Sequence, residues 1–223
     1  MTTPAKPRAI LFDLDGTLLD SLDSIADAMN ATLRDHEFPT HPREAYRAFV
    51  GDGVRALAER VVPAESHGAL DEILATFKEH YRHTREFAPP YPGILAMLEI
   101  AKASGISIGV LTNKPDDSAR VVVAKQLGSV GFEHVRGDRP DEPRKPDPAG
   151  ALALAEAMKV PPAKCWIVGD TPTDLKTAAA AGMVGVGVLW GFRSREELSA
   201  EKHRILVESP AELGALLAKK TKK

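Results

Sequence analysis

The chain has 223 residues, 43% of them hydrophobic and 27% charged, with a formal net charge of −2; this suits a globular domain with a smaller companion and leaves no basic field to hold a nucleic-acid backbone. A single cysteine excludes an intramolecular disulfide and a thiolate zinc cluster. No apolar stretch is long enough to span a membrane, and Met1–Arg8 lacks the apolar centre of a secretory signal, so a cytoplasmic protein is expected.

In chain order, the first apolar run is Ala9-Ile10-Leu11-Phe12, ending at Asp13. From Ser21 to about Phe87 no strand pattern occurs. Leu22, Ile25, Met29 and Leu33 fall at helical spacing, and Arg55–Val62 and Leu70–Phe77 continue in the same manner. Leu95, Leu98 and Ala101 form another helical stripe after Pro92-Gly93. The second apolar run, Ile106–Leu111, ends at Thr112, and a helix through Ala119, Val122, Val123 and Leu127 stops at Gly128. Weaker strands are expected at Glu133–Arg136 and Ile205–Val207, and stronger ones at Cys165–Val168 and Val184–Leu189. Cys165 reads as a buried core thiol. Ala-rich helices are expected at Ala151–Met158 and Leu175–Ala181, and Ser209-Pro210 reads as an N-cap followed by Pro at the first helical position. The basic run Lys219–Lys223 reads as a solvated end.

Continuously apolar runs are strands buried on both faces, and their alternation with helices predicts an α/β fold with a parallel sheet. The strand-free stretch predicts an inserted helical cap subdomain, residues 20–88, within a core made of residues 1–19 and 89–223. Its hinges are Leu18-Leu19-Asp20 and the Pro-rich Ala88–Gly93.

In an open parallel sheet, ligands bind beyond the carboxyl ends of the strands. Those ends carry Asp13-Leu14-Asp15-Gly16-Thr17, Thr112-Asn113-Lys114 and Gly169-Asp170-Thr171-Pro172-Thr173-Asp174, to which the loop lysine Lys145 is added. Converging carboxylates require a compensating cation, and a hard divalent ion such as Mg2+ suits oxygen ligands. The expected ligands are Asp13, the Asp15 carbonyl and Asp170, with Asp174 orienting Lys145 or a metal-bound water. Asp13 is the candidate nucleophile. Asp15, two residues on, leaves an extended chain on the same side and suits acid/base work, while Gly16 allows the turn out of the strand. Thr112, Asn113 and Lys145 are placed on the phosphoryl oxygens. Each short motif alone also fits a solvated turn, a helix cap or a surface lysine; their order along the chain favours one site.

At these residues, and from about Ala9 to Leu217, the sequence resembles the haloacid dehalogenase superfamily of phosphatases, most closely its phosphoglycolate phosphatase branch. The resemblance rests on Phe12–Leu18, Leu111–Lys114, Lys145-Pro146 and Gly169–Asp174, with Thr171 where many relatives place Ser. Softer likenesses are Phe49–Gly53, Tyr91–Gly93, Gly187–Arg193 and Val207–Leu213. It implies a Rossmann-like three-layer core around one Mg2+, Asp13 as nucleophile, Asp15 as acid/base, and a cap that closes over a small phosphorylated metabolite. Gly51, Gly53 and Arg55 are the cap residues expected near that substrate, Arg55 as partner of a substrate carboxylate. The histidines, His80 and His83 included, show no ligand spacing. A phosphosugar mutase, a metal-independent dehalogenase and a catalytically silent binding module are the competing functions.

Overall fold

The computed structural model describes residues 5–201 and 204–218, so the basic run Lys219–Lys223 and the first four residues lie outside the described residues. Six strands form the sheet: β1 (Ala9–Phe12), β2 (Ser107–Pro115), β3 (His134–Asp138), β4 (Cys165–Gly169), β5 (Val184–Val188) and β6 (Arg204–Val207). All five pairings are parallel, and the spatial order is β3-β2-β1-β4-β5-β6. The order reverses between β1 and β4, which opens a crevice at their carboxyl ends.

The apolar strands alternate between two cores, which is why they read as unbroken apolar runs. Ile10, Phe12, Trp166 and Val168 point into one core, where they meet α5 (Ile94–Ala103), α6 (Asp116–Gln126) and α10 (Pro210–Ala218). Ala9, Leu11, Cys165 and Ile167 point into the other, against α7 (Ala149–Ala157) and α8 (Pro172–Ala180). The result is a three-layer α/β sandwich, with Cys165 a buried free thiol as expected. The Ser209 hydroxyl accepts from the Glu212 N–H at 3.2 Å and starts α10 at Pro210.

Three elements depart from the sequence reading. β2 continues past Thr112 to Pro115, because a register irregularity between Leu111 and Pro115 lets the polar tail stay paired with β3. α8 starts at Pro172, ahead of its apolar stripe, through a capping box made by Thr171 and Asp174. The short α9 (Arg195–Ser199) has no apolar stripe to announce it and is started by a Ser194–Glu197 capping box.

Between β1 and β2 lie α1 (Leu22–Asp35), α2 (Tyr46–Phe49), α3 (Val54–Val61) and α4 (Leu70–Thr84). They enclose a third apolar cluster, which takes Leu22, Ile25, Met29 and Leu33 from α1 together with Leu57, Val61, Ile73 and Phe77. Polar side chains tie the same helices: His80 meets Asp35 at 2.6 Å and His36 meets Thr76 at 3.1 Å, both joining α1 or its end to α4. The chain enters and leaves this insertion side by side, with Asp20 N–H donating to the Pro89 carbonyl and Tyr91 N–H to that of Leu18. Among the described residues, no helix is long and apolar enough to cross a membrane.

Ile73 is wholly buried at the centre of the insertion's cluster. Ile73→Ala should therefore lower stability by about 2–4 kcal/mol through lost burial and a residual cavity. The check is a urea midpoint shift at unchanged m-value; a shift too small to resolve would show that this cluster does not hold the fold.

Candidate active site

The carboxyl ends of β1 and β4 bring Asp13 and Asp170 to the crevice. Asp13 N–H donates to the Val168 carbonyl at 2.8 Å, extending the β1–β4 ladder to the carboxylate itself. Beyond it the chain turns tightly, with the N–H groups of Leu18 and Leu19 both donating to the Leu14 carbonyl. Gly16 sits in the left-handed region at φ +82° against the Asp170 carboxylate, where any Cβ would collide with that group. The turn delivers Thr17, whose hydroxyl donates to Asp170 Oδ1 at 2.9 Å, while Phe192 N–H donates to Asp170 Oδ2 at 2.8 Å.

Lys145 closes the group from the opposite side. Its Nζ lies 2.7 Å from Asp174 Oδ1 and 3.0 Å from Asp13 Oδ1, and all three side chains are buried. Asp174 Oδ2 accepts from the N–H and hydroxyl of Thr171, so both of its oxygens are engaged in holding Lys145 and the start of α8. Asp13 Oδ1 is buried and has no well-directed hydrogen bond; its contact with Lys145 is an ion pair off the hydrogen-bonding axis. Burial pushes the Asp13 carboxyl up to about 6, with Lys145 opposing and Asp174 reinforcing the rise. Burial, followed by the charges of Asp13 and Asp174, pushes Asp170 up to about 8. Burial opposes the charge on Lys145, but the two carboxylates outweigh it and raise its pKa.

One carboxylate oxygen each from Asp13, Asp170 and Asp174 lie within 4.8 Å of one another. One lysine against three carboxylates leaves this cluster short of positive charge. An orphaned Asp13 oxygen and an all-oxygen donor set fit a hard divalent cation. Asp13 and Asp170 have capacity left for it, whereas Asp174 is already committed to Lys145 and Thr171.

The tail of β2 supplies a second ion pair. Lys114 Nζ lies 2.9 Å from Asp15 Oδ1 and 2.8 Å from Asp15 Oδ2, and 4.7 Å from the centre of the Tyr81 ring of α4. Burial pulls the Lys114 pKa down, but the Asp15 charge prevails and the net shift is upward. β3 can follow this tail closely because Gly137 packs on it; a Cβ there would stand 2.6 Å from the Lys114 carbonyl oxygen. The Thr112 hydroxyl accepts from Lys114 N–H at 3.2 Å.

A cavity of about 240 Å³ lies between the insertion and the sheet. Asp13, Asp15, Thr112, Asn113 and Lys114 line its floor, and Ile25, Val54, Leu57, Leu74 and Phe77 form much of its apolar wall. Gly51 and Gly53 are on its lining too. Arg55 is not: it pairs with Asp71 at the surface, because Leu57, Ala58 and Val61 take the inward face of α3. Asn113 is also placed differently from its expected role. Its side-chain N–H groups are engaged by the Gly51 carbonyl at 3.3 Å and the Lys145 carbonyl at 3.1 Å, so it ties the insertion to the site.

Several partners were not legible as functional residues. Lys114 stood inside a quoted motif without a role, although its period-two relation to Thr112 placed it on the same strand face. Thr17 and Phe192 likewise stood inside quoted segments without a role, and the clamp of insertion against core was not foreseen. In that clamp the Thr173 hydroxyl donates to Asp52 at 2.7 Å, Arg47 donates to the Gly191 carbonyl at 2.9 Å, and Arg193 donates to the Arg47 and Val50 carbonyls.

The family model of haloacid dehalogenase-like hydrolases matches residues 7–182. The phosphoglycolate phosphatase of Rhodospirillum rubrum is 37% identical over 218 residues, covering 93% of this chain and 90% of its own. That of Aquifex aeolicus is 33% identical over 186 residues, covering 83% and 86%. The solved structure of a haloacid dehalogenase-like family protein from Streptococcus pneumoniae superposes with a TM-score of 0.83 at 24% identity, covering 96% of this chain and 99% of that one.

Removing Asp174 strands a buried lysine and opens the cap of α8. Asp174→Ala should cost about 3 kcal/mol of stability, and Asp174→Asn, which keeps the shape and can still accept a hydrogen bond, clearly less. Denaturant titration of the two variants compares them; equal losses would show that the charge, which both variants remove, holds Lys145 and that the acceptor kept by Asn does not.

Proposed function

The chain belongs to the haloacid dehalogenase-like hydrolases and is a phosphatase, and from that premise we propose a magnesium-dependent phosphomonoester hydrolase that works through an aspartyl phosphate on Asp13, with phosphoglycolate as its substrate. The observation that carries the reading is the buried Asp13–Lys145–Asp174 group beside Asp170, with Asp15 facing the same cavity. The substrate is supported by relatives of that name across most of the chain.

Asp13, Asp170 and the Asp15 carbonyl would hold Mg2+, which supplies positive charge against the phosphoryl oxygens and the nucleophile. The remaining chemistry lies with the chain's own groups. An Asp13 oxygen attacks phosphorus as the bond to the ester oxygen breaks, and Asp15 gives its proton to that oxygen. Asp15 then takes a proton from the water that attacks phosphorus, and the phosphorus–Asp13 bond breaks to release phosphate. The Lys145 ammonium and the Thr112 hydroxyl face the phosphoryl oxygens, where charge has to be stabilised. Asp174 keeps Lys145 in place.

Residues 20–88 serve as the cap in this scheme, and residues 1–19 with 89–223 as the catalytic core. The cap's apolar wall excludes water from the cavity and offers few partners to sugar hydroxyls, which counts against the phosphosugar mutase. An assembled set of buried charges counts against a silent binding module, because such a cluster is costly to keep without use. Asp170 and its neighbours have no task in a metal-independent dehalogenase.

The test is phosphate release from a panel of phosphomonoesters, with Mg2+ and with a chelator. Phosphoglycolate is expected to have the highest kcat/KM, and chelation to abolish turnover. Asp13→Asn should lower kcat at least ~1000-fold and leave no phosphoenzyme. Asp170→Asn should raise the half-saturating Mg2+ concentration at least about tenfold. An active Asp13→Asn enzyme would overturn the mechanism, and a different preferred ester would overturn the substrate.

A further inference from the structure

Two lysines line the cavity, Lys78 and Lys114. Their settings differ sharply. Lys78 is half-exposed and paired with Asp117 at 3.2 Å across the mouth, where water screens its charge. The Lys114 side chain is only 4% exposed, stands on the cavity floor, and touches both oxygens of Asp15. Beside it, Tyr81 also lines the cavity, and its buried hydroxyl makes no well-directed hydrogen bond, with the Lys114 ammonium and Ser24 as its polar neighbours. An unmet buried hydroxyl is costly unless a ligand completes it. With Arg55 facing solvent, this corner is where the cavity lining offers a buried cation to an anion.

We infer that Lys114, with the Tyr81 hydroxyl as second donor, binds the carboxylate of the leaving group, so that the site selects short carboxylic acids phosphorylated on the 2-hydroxyl. The inference rests on the proposed role of Asp15 and deepens the phosphoglycolate reading. The distances support it. Asp15 must come within hydrogen-bond reach of the ester oxygen, about 2.6–3.2 Å, to protonate it. In a 2-phosphorylated acid the carboxylate carbon is two bonds from that oxygen, so a carboxylate oxygen lies within roughly 3–3.5 Å of it. A cation already 2.8 Å from Asp15 therefore stands where that carboxylate arrives. Sharing the ammonium between two carboxylates also releases one Asp15 oxygen to face the ester oxygen. The apolar wall behind this corner strengthens the ion pair and gives a hydroxyl-rich leaving group nothing equivalent.

Phosphoglycolate and isobutyl phosphate separate charge from shape, because two methyl groups replace the two carboxylate oxygens. The experiment compares kcat/KM for both esters, at saturating Mg2+, in the wild type, Lys114→Met and Tyr81→Phe. The wild type should prefer phosphoglycolate. Lys114→Met should cut the phosphoglycolate-to-isobutyl ratio about 30- to 100-fold and Tyr81→Phe about 5- to 10-fold, mostly through KM for phosphoglycolate. Equal losses on both esters would overturn the inference, leaving Lys114 as a support for Asp15 alone. If Lys114→Met does not fold, Tyr81→Phe decides: an unchanged ratio overturns the pairing. A wild type without preference for phosphoglycolate would instead overturn the substrate reading, and the inference with it; a preference that survives both variants overturns the inference alone.

Discussion

Mutual repulsion among buried carboxylates is the constraint around which the rest of this molecule is arranged. Oxygens of Asp13, Asp170 and Asp174 lie within 4.8 Å of one another. With an effective dielectric near 20, each ionised pair at that separation costs roughly 3 kcal/mol or more. A whole domain has only about 5–15 kcal/mol of net stability, so the cluster has to be neutralised where it stands. The fold answers with one buried lysine, a capping box, and hydrogen bonds from Thr17 and Phe192. The deficit that remains is the opening for a divalent cation. What would be a defect in a purely structural core is, at the reversal of strand order, a group of oxygens that could hold a metal ion.

The helical insertion is tied to the same loops. Asn113 reaches both the Gly51 carbonyl and the Lys145 carbonyl, so one side chain fixes the insertion's turn against the lysine loop. Asp52 meets Thr173 one residue before Asp174. Tyr81 covers the ammonium that holds Asp15. Any displacement of these helices therefore disturbs polar groups at the reaction centre and not only apolar contacts. The insertion is joined to the core by two adjacent chain crossings, and its position is fixed through Asn113, Thr173 and Lys114.

Much of this was legible in the sequence, for definite reasons. Ala9–Phe12 and Cys165–Gly169 are apolar at every position because both sheet faces are covered, and a polar residue at the end of such a run has nowhere to lie but the crevice. That logic located Asp13, Thr112 and Asp170 without coordinates. It failed for Arg55, where the residue type outweighed its phase: Leu57, Ala58 and Val61 define the inward face of α3, and Arg55 lies about 200° from Leu57 around the helix. It gave Asn113 a phosphate and missed its tie to Gly51, a contact between segments 62 residues apart that no local pattern encodes. Lys114 was visible as a strand residue, but its partner Asp15 is 99 positions away.

The division between core and insertion also separates two kinds of selectivity. The proposed mechanism puts phosphoryl recognition in the core, where Asp13, Lys145 and Asp174 form one buried network whose members cannot change independently. The leaving group is met by a wall made largely from α3 and α4 and by the β2 tail. An apolar wall discriminates weakly, because one methylene more or less is worth only about 1–3 kcal/mol. A buried donor left unpaired discriminates more strongly, since the wrong substrate bears the whole desolvation loss. A wall of Leu57, Leu74 and Phe77 with a buried cation at the Lys114–Tyr81 corner therefore concentrates its selectivity in that corner. Changes elsewhere on the wall would adjust size, while a change at the corner would change the class of substrate and leave the phosphoryl chemistry in place.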